Sequence, residues 1–187
     1  NNILENIMEN NSYLILGILV IVSFAFSIVF VKQGFVGVVT RFGKFVKVLT
    51  PGLNFRIPFV EKVYKRISIQ LRSIELEFEA ISLDQANVRF KALILFVVRD
   101  ETVDTIKKVA FRFIDEKSFM QTLVRSIEGS IRAFVATKKQ AEILTLRGEI
   151  VTAVKDHLEH NLNDWGFHLI DLQINDISFD EAIMRSM

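Results

Sequence analysis

The chain of 187 residues contains no cysteine, which excludes disulfide bridges and metal sites built from thiolates. It also lacks the G-x-S-x-G, G-x-x-x-x-G-K and dinucleotide-binding patterns, so the enzyme classes that depend on these motifs have no support. Proline occurs only twice, at Pro51 and Pro58, and histidine only three times. We therefore expect no enzymatic activity and no cofactor.

Two of the histidines present the one pattern that could bind a metal. His157 and His160 are three positions apart in a helical segment, so they share a face that could hold a divalent cation with a carboxylate. The pattern brings no further ligand to that face, and a solvated face beside Val154 and Leu158 explains the same residues. We predict no metal site.

One long stretch, residues 13–31, has neither a charged residue nor a proline. A helix of this length would measure about 28 Å, close to the thickness of the hydrocarbon core of a bilayer. A cleaved signal peptide would carry basic residues in front of its apolar segment, whereas Glu5 and Glu9 stand here. A membrane hairpin would need a central proline or glycine pair. We predict one transmembrane helix, anchored by Tyr13, Phe24, Phe26, Phe30 and Lys32.

Charge is distributed unevenly around this stretch. Residues 1–31 carry two acids and no Lys or Arg, whereas residues 32–72 carry nine Lys or Arg and one acid, Glu61. Basic residues beside a span are retained in the cytoplasm and attract anionic headgroups, so we predict a cytoplasmic domain that rests on anionic lipid. Lipid competes for the same charges, so we expect no nucleic-acid binding. The predicted membrane-surface residues are Phe35, Lys44, Lys47, Phe55, Phe59, Lys62 and Lys65.

The segment from residue 33 to residue 98 has the pattern of β-strands. Apolar and polar residues alternate in several runs, which is typical of half-buried strands in an antiparallel sheet. The segments 41–44, 50–52 and 82–87 read as turns, and Pro58 restricts its strand to an edge or an irregular position. Glu75, Glu77 and Glu79 share one face of a strand, where they form either a solvated edge or a charged row between subunits.

After residue 100 the apolar spacing changes to that of helices. Residues 119–135 and 143–162 each carry one apolar stripe, and Gly166 is a candidate for the left-handed residue that ends the second helix. Residues 167–177 alternate and predict a returning strand. Ser178 and Glu181 have the spacing of a capping box, and Ile183, Met184 and Met187 would begin a further helix with an uncovered apolar face. We expect the chain to be part of a longer protein.

Taken together, these segments resemble the SPFH superfamily (stomatin, prohibitin, flotillin and HflK/HflC), and most closely its stomatin-like branch. The similar stretches are VKQGFVGVV at 31–39, RFGK at 41–44, TPGL at 50–53 with IPF at 57–59, SLD at 82–84, Ile143-Leu144 with Arg147, DWGF at 164–167, and residues 172–177. Stomatin-like chains often have proline where the final helix begins, whereas Phe179-Asp180 stands here, so the capping box would have to start that helix.

The resemblance implies an α+β fold in which an N-terminal transmembrane helix precedes an SPFH domain of antiparallel sheet and packed helices, followed by a C-terminal helix or coiled coil. The predicted segments are a tail (1–12), the span (13–31), a membrane-proximal β-rich subdomain (32–100), an α/β subdomain (101–177) and the start of the long helix (178–187).

The resemblance also implies a membrane-anchored scaffold. Such subunits assemble side by side into a ring or cage that delimits a membrane microdomain and regulates membrane proteins such as a protease or a channel. Two alternatives stay open, namely a partner-specific membrane adaptor and a minor subunit of a hetero-oligomer. The predicted partners are other copies of the chain, through neighbouring SPFH domains and C-terminal helices, and anionic lipids. The predicted oligomerisation residues are Glu75, Glu77, Glu79, Ser178, Glu181, Ile183, Met184 and Met187.

Overall fold

The computed structural model describes residues 2–179, and the chain divides into two compact units, Asn1–Ser68 and Ile69–Met187. The first unit contains α1 (Asn2–Ser27), β1 (Ile28–Val31), β2 (Phe35–Arg41), β3 (Lys44–Leu49), β4 (Gly52–Phe55) and β5 (Glu61–Ser68). The second contains β6 (Arg72–Ile81), β7 (Asn87–Val98), α2 (Val103–Phe111), α3 (Glu116–Val135), α4 (Gln140–Ile143), α5 (Arg147–Asp164) and β8 (Phe167–Phe179). The predicted combination of antiparallel sheets and helices is confirmed.

The apolar helix differs from the prediction at both ends. α1 begins at Asn2, and it ends at Ser27 because the next four residues form β1 and pair with β4. Val29 and Val31 are buried in the core of the first unit, while Phe30 between them is exposed. The apolar character of residues 28–31 therefore serves a half-buried strand, and the prediction of a helix over 13–31 is wrong at its C-terminal end. α1 remains long and apolar enough to cross a membrane.

The first unit is built from two small antiparallel sheets. One pairs β1 with β4, and the other has the strand order β3-β2-β5. Val29, Val31, Val39 and Leu49 form a buried cluster, against which Phe35 and Val63 pack. A methyl group on Gly37 would lie 3.3 Å from Leu49 Cβ and 3.5 Å from Val31 Cγ2, so glycine leaves space for the side chains of Leu49 and Val31. The side chains of the two sheets thus share one core.

The second unit has a three-stranded antiparallel sheet in the order β6-β7-β8. α3 contacts β6, α5 contacts β8, and the two helices contact each other. Their buried residues follow the predicted stripes, namely Phe119, Leu123, Ile127, Ile131 and Val135 on α3 and Ile150, Val154, Leu158 and Leu162 on α5. Since β6 pairs with β7 and β7 pairs with β8, both strands belong to this unit. The division therefore falls after Ser68 rather than at the predicted boundary of residue 100.

Polar side chains fix two connections of the second unit. Thr102 caps α2, and Asp100 accepts hydrogen bonds from the Thr102 backbone N–H at 2.9 Å and hydroxyl at 2.6 Å. The hydroxyl bond from Thr102 is the main reason that the pKa of Asp100 lies below its usual range. In the turn after β6, the Asp84 carboxylate accepts from the Ser82 hydroxyl at 2.5 Å and from the Gln140 N–H at 3.1 Å, which lowers the pKa of Asp84.

Gly166 joins α5 to β8 in the left-handed conformation that the sequence predicts, with φ of 91°. A Cβ at this position would lie 2.8 Å from Val109 Cγ2 and 2.9 Å from the Thr105 carbonyl oxygen. Glycine is therefore required here both by the backbone conformation and by the close approach of α2.

The C-terminal end of the described chain corrects one prediction. β8 continues to Phe179, and Ser178 is paired with Arg89 of β7. Because Phe179 is extended, Ser178 does not cap a helix that starts at the next residue, and the prediction of a helix from 178 is wrong at its first two positions. Glu181, Ile183, Met184 and Met187 lie outside the described residues.

Candidate functional site

The strand directions define two ends of the first unit. Val31, Gly37 and Leu49 lie together at the end remote from α1. At the other end, the Arg56 backbone N–H donates to the Ser27 carbonyl and the Ser27 hydroxyl donates to the Arg56 carbonyl, each at 2.8 Å. These two bonds hold the loop after β4 against the last residue of α1. We call this side, where β2 ends and β5 begins, the helix-proximal end.

A buried carboxylate organises the helix-proximal end. Glu61 is only 3% exposed, and its side chain accepts from Arg41 Nη2 at 2.7 Å and from the Ile57 backbone N–H at 2.9 Å. The Lys47 ammonium lies 3.6 Å from the same carboxylate. The hydrogen bond from Arg41 is the largest of the effects that hold the pKa of Glu61 below its usual value, and the bond from Ile57 is the second.

Two aromatic rings protrude from the same end. Phe42, in the turn between β2 and β3, is 87% exposed with φ of 51°, and Phe59, in the loop before β5, is 85% exposed with φ of 67°. Positive φ is strained for a bulky side chain and costs on the order of 1–3 kcal/mol per residue. Phe26 of α1 lies 6.0 Å from Phe59 between ring centroids, and all three rings line one open cavity. The fold buries little of either protruding ring.

The structure separates the predicted basic surface into two groups. Lys44 and Lys62 are exposed on the strands that adjoin the two protruding rings. Lys47 is engaged with Glu61 and donates to the Phe55 carbonyl at 2.9 Å, and Lys65 is half-buried. Of the four lysines predicted to face lipid, Lys44 and Lys62 are therefore the two that stay exposed beside the rings, while the prediction for Lys47 and Lys65 stays a prediction.

The predicted aromatic residues also differ in position. Phe35 lies at the remote end, where it is partly buried and packs against the core cluster. Phe55 is exposed at the helix-proximal end, with its ring centroid 6.1 Å from that of Phe24 on α1. Tyr13, Phe24 and Phe26 are exposed along α1, whereas Phe30 lies on β1 and Lys32 follows that strand.

The predicted oligomerisation residues on β6 are not equivalent. Glu75 and Glu77 are exposed, but Glu79 pairs with Arg89 of the neighbouring β7 at 3.0 Å and accepts from the Asn87 amide at 3.2 Å. Glu79 therefore has partners within the chain, and its role between subunits stays a prediction. Among residues 2–179, no group of three or more His, Asp or Glu side chains could hold a metal.

Sequence reasoning missed Phe42 and the role of Glu61. The two-residue turn after β2 has positive φ at both central residues, a geometry for which Asn-Gly is the preferred sequence. Phenylalanine in front of Gly43 departs from that preference, and this departure was visible in the sequence. Glu61 was also visible as the one acid among nine basic residues in the segment 32–72.

Comparison with known proteins finds one matching family model and several similar proteins, among which are a stomatin homolog and a stomatin-like protein. The family model described as SPFH domain / Band 7 family matches residues 29–187. An uncharacterized protein of Methanocaldococcus jannaschii is 24% identical over 94% of this chain and 84% of its own length. A stomatin homolog of Pyrococcus abyssi is 25% identical over 90% of this chain, and a stomatin-like protein of Caenorhabditis elegans is 29% identical over 84%. The alignments cover 60% and 47% of the lengths of these last two proteins.

Proposed function

The chain belongs to the SPFH domain / Band 7 family, and from this premise we propose that it is a membrane-anchored subunit of an oligomeric scaffold. In this proposal the subunits assemble into a ring or cage that delimits a membrane microdomain and regulates membrane proteins such as a protease or a channel. The observation that carries the proposal is the junction after α1. The helix passes into β1 without a linker, and the paired hydrogen bonds between Ser27 and Arg56 tie it to the first unit.

A rigid junction favours a scaffold over a tethered domain. A flexible linker would let each folded domain rotate freely above the membrane, whereas a fixed junction gives every copy the same orientation. Copies with one orientation can meet through the same surfaces and close into a symmetric assembly. The edge strands β6 and β8, with Glu75 and Glu77 exposed on β6, are candidate surfaces for such contacts.

We further propose that α1 spans the membrane and that the folded units are cytoplasmic. The absence of Lys and Arg before residue 32 and the basic segment after it support this orientation. Because the chain has no cysteine, Ser12→Cys and Ser73→Cys are clean single-site reporters. An impermeant thiol reagent added to intact cells should label Ser12→Cys and spare Ser73→Cys until the cells are opened. Labelling of Ser73→Cys alone in intact cells would show that the orientation is the opposite of the one proposed.

Assembly itself is tested by particle size. The natively expressed protein, purified in mild detergent at micromolar concentration, should form a large homo-oligomer whose images show rotational symmetry. A chain that ends at Phe179 keeps all of β8, so it should fold and yet give mostly smaller species if the segment beyond Phe179 closes the assembly. A monodisperse monomer of the native protein would contradict the scaffold and favour the adaptor. If large particles form only when a second protein is present, the chain is instead a minor subunit of a hetero-oligomer.

A further inference from the structure

The whole of α1 is long enough to cross a membrane, but its strictly apolar run from Tyr13 is shorter than the hydrocarbon core of a bilayer. The helix ends at Ser27. Its last charged residue is Glu9, and three polar residues, Asn10, Asn11 and Ser12, precede the apolar run that begins at Tyr13. Residues 13–27 therefore cover about 22 Å at 1.5 Å per residue, against a hydrocarbon core of about 30 Å. A shortfall of about 8 Å has to be met at one end of the helix or by thinning of the bilayer.

The N-terminal end of α1 is poorly suited to supply the missing apolar length. Residues 2–12 contain Glu5 and Glu9 together with four asparagines, and charged groups within the hydrocarbon region are strongly unfavourable. At the other end, the helix-proximal end of the first unit presents Phe42 and Phe59 beside Phe26 of α1. Apolar rings therefore stand beside the last turn of α1, at the end of the helix that meets the first unit.

The conformations of these two rings indicate a role outside the fold. Both residues have positive φ, which glycine or asparagine would adopt with less strain, and both rings are almost fully exposed. Apart from the contact of Phe59 with Phe26, folding gains little from either ring, so contacts within residues 2–179 offset little of the strain. Residues held in such conformations cluster where a protein meets a ligand.

We propose that Phe42 and Phe59 form a two-pronged wedge that enters an anionic bilayer just below its headgroups. Lys44 and Lys62, exposed beside the rings, would contact the lipid phosphates. The pairs Arg41–Glu61 and Ile57–Glu61 fix the segments that carry the two rings. The wedge places the helix-proximal end in the interface at the level of the last turn of α1 and sets the height of the first unit above the membrane. This inference rests on the proposed membrane anchoring by α1.

Depth-dependent quenching tests the wedge in the full chain. Phe42→Cys, Phe59→Cys, Leu19→Cys and Thr50→Cys are each labelled with an environment-sensitive fluorophore and reconstituted in vesicles of phosphatidylcholine and phosphatidylglycerol. The labels at 42 and 59 should show blue-shifted emission and roughly a twofold loss of intensity with nitroxide near the top of the acyl chain, since interfacial groups lie ~5–10 Å deep. Leu19 should respond to deep nitroxide, and Thr50, after β3 at the remote end, should stay aqueous.

The outcomes separate the wedge from the anchor. If the label at Leu19 is quenched by deep nitroxide while the labels at 42 and 59 behave like that at Thr50, the wedge is wrong and the anchor stands. If the label at Leu19 is also aqueous, the membrane anchoring itself fails, and the wedge fails with it.

A second variant tests whether the rings are structural instead. In a Lys44→Cys background, Phe42→Asn with Phe59→Asn should make the label at 44 more accessible to iodide on vesicles. The midpoint of unfolding in detergent should not fall, because asparagine tolerates positive φ. A lower midpoint with unchanged iodide accessibility would assign the rings to folding and overturn the proposal.

Discussion

Replacing Phe119 with alanine should lower the free energy of unfolding of the second unit by about 3–5 kcal/mol. Phe119 is buried, and its ring lies among four others, with centroid distances of 4.9 Å to Phe167, 5.4 Å to Phe113, 5.9 Å to Phe96 and 6.1 Å to Trp165. Truncation removes all four ring contacts and leaves a cavity that α3 and the sheet cannot close without moving.

The sole tryptophan makes this prediction measurable. Trp165 reports on the second unit alone, so its fluorescence during urea unfolding in detergent gives the stability of that unit. Ile114→Ala is the matched control, because Ile114 is 83% exposed and should change stability by less than about 0.5 kcal/mol. A loss for Phe119→Ala no larger than that of the control would mean that the ring cluster does not hold α3 on the sheet.

Local patterns predicted much of the second unit. The stripes of α3 and α5 require only the helical period and a single buried side, and the structure buries the residues that this period selects. Gly166 was predictable because the end of a helix needs a left-handed residue. The resemblance to the SPFH superfamily is confirmed by the family match over residues 29–187.

Long-range pairing was beyond the sequence pattern. The apolar residues 28–31 are compatible both with the end of a membrane helix and with a buried strand. Pairing with the partner strand β4 decides between the two. Likewise, β6 and β7 follow the other strands in the chain, but β7 lies between β6 and the much later β8 in one sheet. The division therefore falls after Ser68. Ser178 matched a capping box, yet pairing with Arg89 keeps it in the sheet.

Replacing Glu61 with glutamine should lower the stability of the first unit by about 2–3 kcal/mol at pH 7. The change keeps the size of the side chain but removes the charge that Arg41, Lys47 and the Ile57 N–H share. A fully buried ion pair would lose more, but the Arg41 and Lys47 side chains are 43% and 40% exposed, so water can solvate them after the change.

The size of this effect should depend on pH in one direction. The pKa of Glu61 is lowered in the folded state, so its contribution is fully present above the pKa of the unfolded chain, about 4.5. It is lost as the pH falls through the lower pKa of the folded state. The difference between Glu61→Gln and the natural chain should therefore be constant near neutral pH and shrink below about pH 4.5.

Hydrogen-exchange mass spectrometry measures the two units separately in one sample. For Glu61→Gln, amides of β2, β3 and β5 should exchange faster at pH 7, while those of β6, β7 and β8 should be unchanged. The reason is that the described partners of the carboxylate, Arg41, Lys47 and Ile57, all belong to the first unit. Glu77→Gln, an exposed glutamate on β6, should leave both sets unchanged. Unaltered exchange in β2 and β5 would show that the carboxylate does not hold the helix-proximal end. The segments that carry Phe42 and Phe59 would then need another support.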